Sequence, residues 1–261
     1  MRHINERHHK RFINGETSIA PADYFLSTFP SYTLDYDVAY MGVGNGGNLT
    51  SLVDRSNKHG PGCTLFPGPS GAPNISVLQS ELNGAAFMLY NNNAFMSSSA
   101  TSPLVLSQSI TIFVVAKRTE TTNLNSFLFD GFSTSIGAGQ RCYLFRPSGG
   151  ATLEAGCNTT NMSGTYSWAT YDNVWRLFEV HLVGSGSGTI LNGSTQVNSA
   201  NIPTTGNINC SGLILGCRVD GNPGTFRWEG GIARFTAFNG NLTGSDLIKV
   251  RNYFRTKYAL Y

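Results

Sequence analysis

Short apolar or β-branched runs alternate along this chain with clusters of Gly, Ser, Thr and Asn, the rhythm of many strands joined by turns. Ser109-Ile110-Thr111-Ile112-Phe113-Val114-Val115-Ala116 is almost continuously apolar before Lys117-Arg118-Thr119-Glu120, so it predicts a strand buried on both faces. Ser126-Phe127-Leu128-Phe129 predicts a short strand closed by Asp130-Gly131. Residues 141–145 and 151–155 flank Pro147-Ser148-Gly149-Gly150 and predict a hairpin. Residues 175–182 alternate, with Trp175, Leu177 and Glu179 on one side and Arg176, Phe178, Val180 and Leu182 on the other. The second side is the better core candidate. Ile190-Leu191 leads into Asn192-Gly193, a hairpin turn because both residues tolerate φ > 0. Leu213-Ile214-Leu215-Gly216 and residues 231–238 add two more strands. One helix is predicted, at the end of the chain. Thr243-Gly244-Ser245-Asp246 offers capping side chains and a first-turn acid, Leu247, Val250 and Phe254 form one apolar stripe, and Lys257 suits the last turn. The fold class is therefore all-β, an antiparallel two-sheet sandwich with a short C-terminal helix.

Composition agrees. Only 13% of the 261 residues are charged, against about 25% in an ordinary soluble domain. A net charge of +3 without a concentrated basic stripe speaks against nucleic acid. The one dense cationic stretch is MRHINERHHKRF at the N-terminus. It lacks a following apolar region, so it does not read as a signal peptide, and no run approaches membrane-spanning length. Residues 1–44 read as an N-terminal arm or lead-in, and 45–261 as the sandwich. His3, His8 and His9 read as part of a solvated tail rather than as a metal site. Five cysteines, an odd number, exclude a fully paired framework. Cys142 and Cys157 would face each other in a symmetric hairpin, and are expected to be two small buried thiols.

The order of these pieces resembles the concanavalin A-like lectin/glucanase superfamily, particularly its laminin G-like jelly-roll modules. Asn48-Leu49-Thr50-Ser51-Leu52-Val53-Asp54-Arg55-Ser56 is similar to an early "W-x-D-x-S-G" stretch, with Leu52 or Val53 at the tryptophan position. Leu82-Asn83-Gly84 and the 109–116 run resemble the family's inner strands. Residues 175–182, with Ile190-Leu191-Asn192-Gly193, are similar to "W-x-x-φ-x-V … L-x-V-N-G". Residues 213–216, 226–233, 238–239 and 242–246 resemble "L-x-L-G … F-x-G-x-I-A-E-φ-x-φ-Y-N … L-S-D", running into a terminal "V-x-x-Y-φ-x-x-K-Y" helix at 250–258. The resemblance covers about residues 45–261 and implies a jelly roll. Where the family carries an acid after "I-A", this chain has Arg234.

Family members that cleave glycans resemble one another in an E-x-D-x-E strand, which sets two carboxyls about 5–5.5 Å apart. Glu154, Glu179 and Glu229 each stand alone in their strands, and His181 has no nucleophile motif beside it. No G-x-S-x-G, P-loop or C-x-x-C is present, so no enzyme is expected. Asp220-Gly221-Asn222 and Asp130-Gly131 are weak calcium candidates, for which turn chemistry is the stronger account, and no cofactor is expected. Sugar faces stack on exposed rings. Tyr166, Trp168, Tyr171 and Trp228 are the binding candidates on that ground, while Trp175 is assigned to the core. The expected role is a non-enzymatic virion component, a capsid decoration, fibre or tail protein on a virus or phage surface. Its arm would attach to capsid or other virion proteins in an oligomeric assembly. A free extracellular carbohydrate-binding module, or a glycoside hydrolase or lyase with an unrecognised site, are the alternatives.

Overall fold

The fold is known from a computed structural model. It describes residues 24–59, 63–68, 72–76, 81–90, 94–98, 104–106, 109–119, 125–132, 141–147, 152–157, 160–165, 173–183, 187–192, 195–201, 208–210, 212–218 and 226–260. In chain order the strands are β1 (Tyr32–Asp37), β2 (Leu65–Pro67), β3 (Asn74–Ser76), β4 (Phe87–Tyr90), β5 (Met96–Ser98), β6 (Leu104–Leu106), β7 (Ile110–Arg118), β8 (Ser126–Phe132), β9 (Arg141–Arg146), β10 (Thr152–Cys157), β11 (Thr160–Thr165), β12 (Arg176–Val183), β13 (Ser187–Asn192), β14 (Thr195–Asn201), β15 (Ile208–Cys210), β16 (Gly212–Leu215) and β17 (Gly230–Asn239). Among the described residues two α-helices have full ranges, α1 (Tyr24–Ser27) and α2 (Gly244–Tyr258).

The first sheet has the order β14-β13-β12-β7-β17-β4-β3, with β1 also paired to β17; the second has the order β11-β10-β9-β8-β16-β5-β2. All pairings are antiparallel. The small β6–β15 ribbon stands beside them. β17 shares one edge between two partners. Its first residues pair with β4, and from Arg234 onward it pairs with β1, across a register shift on its β7 side.

Period-two alternation sends β1, β4, β7, β12 and β17 of the first sheet into two cores. Ile112, Val114, Phe178, Val180, Phe235 and Ala237 meet Leu128, Phe129, Leu144, Leu153 and Leu215 of the second sheet. Phe113, Val115, Leu177 and Phe238 turn the other way and meet Val250, Phe254 and Tyr258 of α2. β7 is consequently buried at all of its positions, as its apolar run predicts. On β12 both faces are buried, because α2 covers the side that the alternation left for solvent. The apolar stripe of α2 is the expected one, although Thr243 makes no side-chain capping bond. At about 1.5–3 kcal/mol for each fully buried side chain, Val250, Phe254 and Tyr258 account for most of its docking.

Three expectations need correction. Residues 32–37 belong to the lead-in by sequence, yet they form β1, a fully buried strand of the first sheet. Leu82-Asn83-Gly84 is a tight turn rather than a strand, with φ of +48°, +57° and +75°. Asp130-Gly131 does not close β8, which continues to Phe132.

Candidate functional site

Among the described residues, α1 and α2 pack on the first sheet, and the second sheet turns its outer face away from them. On β9 the alternation puts Cys142 and Leu144 into the core and leaves Tyr143 and Phe145 on the outer face. Phe127 faces Phe145 across the β8–β9 pair, and Glu154 faces it from β10. A register shift between Phe127 and Phe129 lets Leu128 and Phe129 both enter the core while Phe127 stays outside. The rings of Phe127 and Phe145 stack with centroids 4.6 Å apart. Tyr143 lies 5.6 Å from Phe145, and Phe226 meets Phe127 edge-on at 6.1 Å. Tyr143 lies flat over Gly156, where any Cβ would overlap its ring. The Arg218 guanidinium carbon is 3.2 Å from the centroid of Phe226. Arg227 and Glu229 form a half-exposed ion pair in the adjoining segment.

Phe127 and Tyr143 are buried, whereas Phe145, Phe226, Glu154, Arg218, Arg227 and Glu229 are half-buried. The arrangement thus combines two partly open rings, held by two buried ones, with carboxylate and guanidinium groups. Rings of this kind accept the C–H face of a sugar, and the flanking charges accept and donate hydrogen bonds to hydroxyls. Their order was legible in Arg141-Cys142-Tyr143-Leu144-Phe145, whose alternation marks Tyr143 and Phe145 as outward once the hairpin is granted.

Of the residues singled out by sequence, Trp228 is 1% exposed. Its indole Nε1 donates to the Lys117 carbonyl at 3.2 Å, so it is a core residue pinning β17 to β7 and does not contact ligand. Asp130 is fully buried inside β8, opposite Tyr143 and Ile214, and is not a loop ligand for calcium. Tyr166, Trp168, Tyr171, Asp220 and Asn222 lie outside the described residues. The strand end before Tyr166 is Thr165, on the strand where Ser163 opposes Glu154. Among the described residues, no three His, Cys, Asp or Glu side chains are grouped to hold a metal ion.

The strongest electrostatic feature lies elsewhere, beneath α2. Asp35 and Asp37, on alternate positions of β1, form a carboxylate pair that the sequence reading passed over. Arg234 Nε and Nη2 donate to Asp35 at 2.7 and 2.8 Å, and Arg234 Nη1 lies 3.1 Å from Asp37. Arg55 Nη1 donates to Asp37 at 3.2 Å and Lys257 Nζ at 2.6 Å. Burial pushes the Asp37 carboxyl up, but Lys257, Arg234 and Arg55 outweigh it and hold the group below its usual value. Asp54 accepts from the Asp35 and Ser56 backbone N–H groups at 2.9 Å, and burial still leaves its carboxyl raised. Glu179, fully buried on β12, accepts two bonds from Arg251 Nε and one from Nη2. These ions join β1, residues 54–56, β12 and β17 to α2. With each carboxylate of Asp35, Asp37 and Glu179 held by cations under a helix, none is placed for acid–base work.

Neither a protein-family model nor a curated protein sequence matches the chain. Solved structures do. The chain is similar to botulinum neurotoxin type C, which depends on two ganglioside molecules to enter cells (TM-score 0.56, 12% identity, 88% of this chain and 52% of that one). It is also similar to the binding domain of botulinum neurotoxin DC in complex with SialylT (0.55, 11%, 86% and 51%). A third is an arabinofuranosidase complexed with arabinofuranosyl-alpha-1,2-xylobiose (0.55, 15%, 81% and 51%). This chain spans about half the length of each. At such identities the likeness establishes the fold, a two-sheet jelly-roll sandwich, and leaves function to the site.

Proposed function

We propose that this protein is a non-enzymatic, lectin-like carbohydrate-binding module, and that sugar docks on the outer face of the second sheet. The observation that carries the reading is the ring cluster Phe127, Tyr143, Phe145 and Phe226, flanked by Glu154 and Arg218. Tyr166, Trp168 and Tyr171, close in sequence to β11, are proposed as further stacking residues. Two of the structures with this fold hold or require glycans by their own description, which supports the same reading.

The polarity of the fold favours a displayed module. α1 lies against α2, with Phe25 stacked on Tyr253 at 5.3 Å, on the outer face of the first sheet. A partner attached through the basic residues 1–23 would therefore hold the helix-covered side and leave the ring cluster facing away. A virion surface is the assembly we propose, with capsid proteins as the attachment partners.

A glycan array probed with the full-length chain tests the binding. Hits followed by titration calorimetry should lose about tenfold in affinity, roughly 1.4 kcal/mol, in Phe145→Ala and in Glu154→Ala, with circular dichroism unchanged. Recovery of intact glycan after prolonged incubation is expected, and released sugar would instead support the hydrolase alternative. Absence of binding across neutral and acidic glycans sinks the proposal.

A further inference from the structure

The β9–β10 hairpin places two cysteines directly opposite each other, in the pairing Cys142↔Cys157 that follows Gly156↔Tyr143, Ala155↔Leu144 and Glu154↔Phe145. Opposed residues in an antiparallel pair have Cα atoms about 4.5–5.5 Å apart. A disulfide spans about 4.4–6.8 Å. Register therefore brings the two Cα atoms within the range that a disulfide spans. Cys142 is 1% exposed, on the core side with Leu144, Leu153 and Ala155.

We infer that Cys142 and Cys157 are a covalent modification site, a cross-strand pair that closes to a disulfide when the chain folds in the presence of a disulfide oxidant. With oxidised glutathione the chemistry balances in two exchanges. One thiolate attacks the glutathione disulfide, forming a mixed disulfide and releasing one glutathione thiolate. The second cysteine, having lost its proton, then attacks the protein sulfur of that mixed disulfide and expels the second glutathione. Two protein thiols are oxidised and one glutathione disulfide becomes two glutathione thiols. The bond forms while the hairpin is still open to solvent, before the two sheets close over Cys142. Cys63 and Cys217 are poorer partners. Cys63 is buried, which pushes its thiol up to about 11, and Cys217 is buried at the opposite margin of β16.

The test uses the full-length chain, refolded from denaturant in a buffer of reduced and oxidised glutathione. After acid quench it is alkylated under denaturing conditions without reductant and analysed by peptide mass spectrometry. Three of the five cysteines should be alkylated, and the peptide carrying Cys142 should be joined to that carrying Cys157, at a mass lower by two hydrogen atoms. Cys157→Ser, a change small enough to leave the strand, should yield four alkylated cysteines and no such joined peptide. The oxidised wild type should also melt several degrees higher than its reduced form, and Cys157→Ser should show no such gap. Full alkylation of all five cysteines in correctly refolded protein, or linkage of Cys142 to Cys210 or any other cysteine, would overturn the inference.

Discussion

Replacing Arg234 by Met removes one of the three cations that neutralise Asp35 and Asp37, and the only one that holds Asp35 by two hydrogen bonds among the described residues. Arg234 is fully buried, donates twice to Asp35 and bonds the Tyr253 hydroxyl at 2.7 Å. Methionine keeps most of its length, so the packing against Tyr253 and Phe254 is largely retained. What is lost is the neutralisation of a buried carboxylate, a change that costs about 3–5 kcal/mol when one partner of a buried pair is removed. Arg55 and Lys257 remain beside the carboxylates, so the lower end applies, about 3 kcal/mol. In a chain of this size that lowers Tm by roughly 6–12 °C. The assay is thermal and urea unfolding of Arg234→Met beside the double variant Asp35→Asn, Arg234→Met. Asparagine still accepts from Thr236 Oγ1, which bonds Asp35 at 2.7 Å, and it strands no charge. The double variant should accordingly be the more stable of the two by about 1 kcal/mol or more. A single-variant cost under about 1 kcal/mol, or a double variant no better than the single, would refute the reasoning that the cluster's value is charge neutralisation.

Other outcomes follow from the same geometry. Gly230→Ala should cost about 3 kcal/mol or more in urea unfolding, because φ is +149° and the added Cβ overlaps the Lys117 carbonyl oxygen. Arg251→Ala removes the guanidinium that holds the fully buried Glu179, leaving His181 Nε2 at 3.3 Å beside it, and should cost about 3 kcal/mol, with much of it restored by adding Glu179→Gln. For pH, the folded Asp37 carboxyl lies below its usual value. Its stabilisation is therefore complete above the unfolded carboxylate pKa of about 3.9 and is lost as pH falls through the folded value. Tm measured from pH 2 to 6 should show an acid limb that is shallower in Asp37→Asn. Asp54 has the opposite sign, its raised carboxyl favouring the fold below the unfolded pKa and losing that contribution as pH rises.

The strands were legible wherever one rule sufficed. β7 announced itself as a continuous apolar run, β9 and β10 as two runs around a Pro-Ser-Gly-Gly turn, and α2 as a stripe with an acid at one end and a cation at the other. Errors arose where tertiary partners decided the outcome. β1 carries Asp35 and Asp37 among Tyr and Leu, which reads as a half-solvated segment until Arg55, Arg234 and Lys257 are known to converge on it. Leu82 and Asn83 adopt left-handed backbone that no propensity assigns to a leucine. Trp228 stands by sequence among the candidate stacking rings, and only the fold shows that its indole closes the core over Lys117. Phe127 was hidden by a different cause. It turns to the outer side of the sheet through a register shift, and a bulge of that kind leaves no pattern in the strand's own residues.

The position held by Arg234 ties these observations together. Arg234 is buried between two aspartates of β1. A buried cation is tolerable only if its surroundings carry the opposite charge, since an unpaired buried ion costs several kcal/mol. β1 supplies that charge, and Lys257 then extends the network into α2. The outer face of the first sheet is in this way sealed by an ionic clamp in addition to apolar packing. A sealed face is a poor place for a ligand and a good one for a rigid mount. Among the described residues the outer face of the second sheet bears no such clamp, and it keeps Phe145, Phe226, Glu154 and Arg218 partly open to solvent. The asymmetry between a clamped face and an open one is the physical reason to look for binding on the open side.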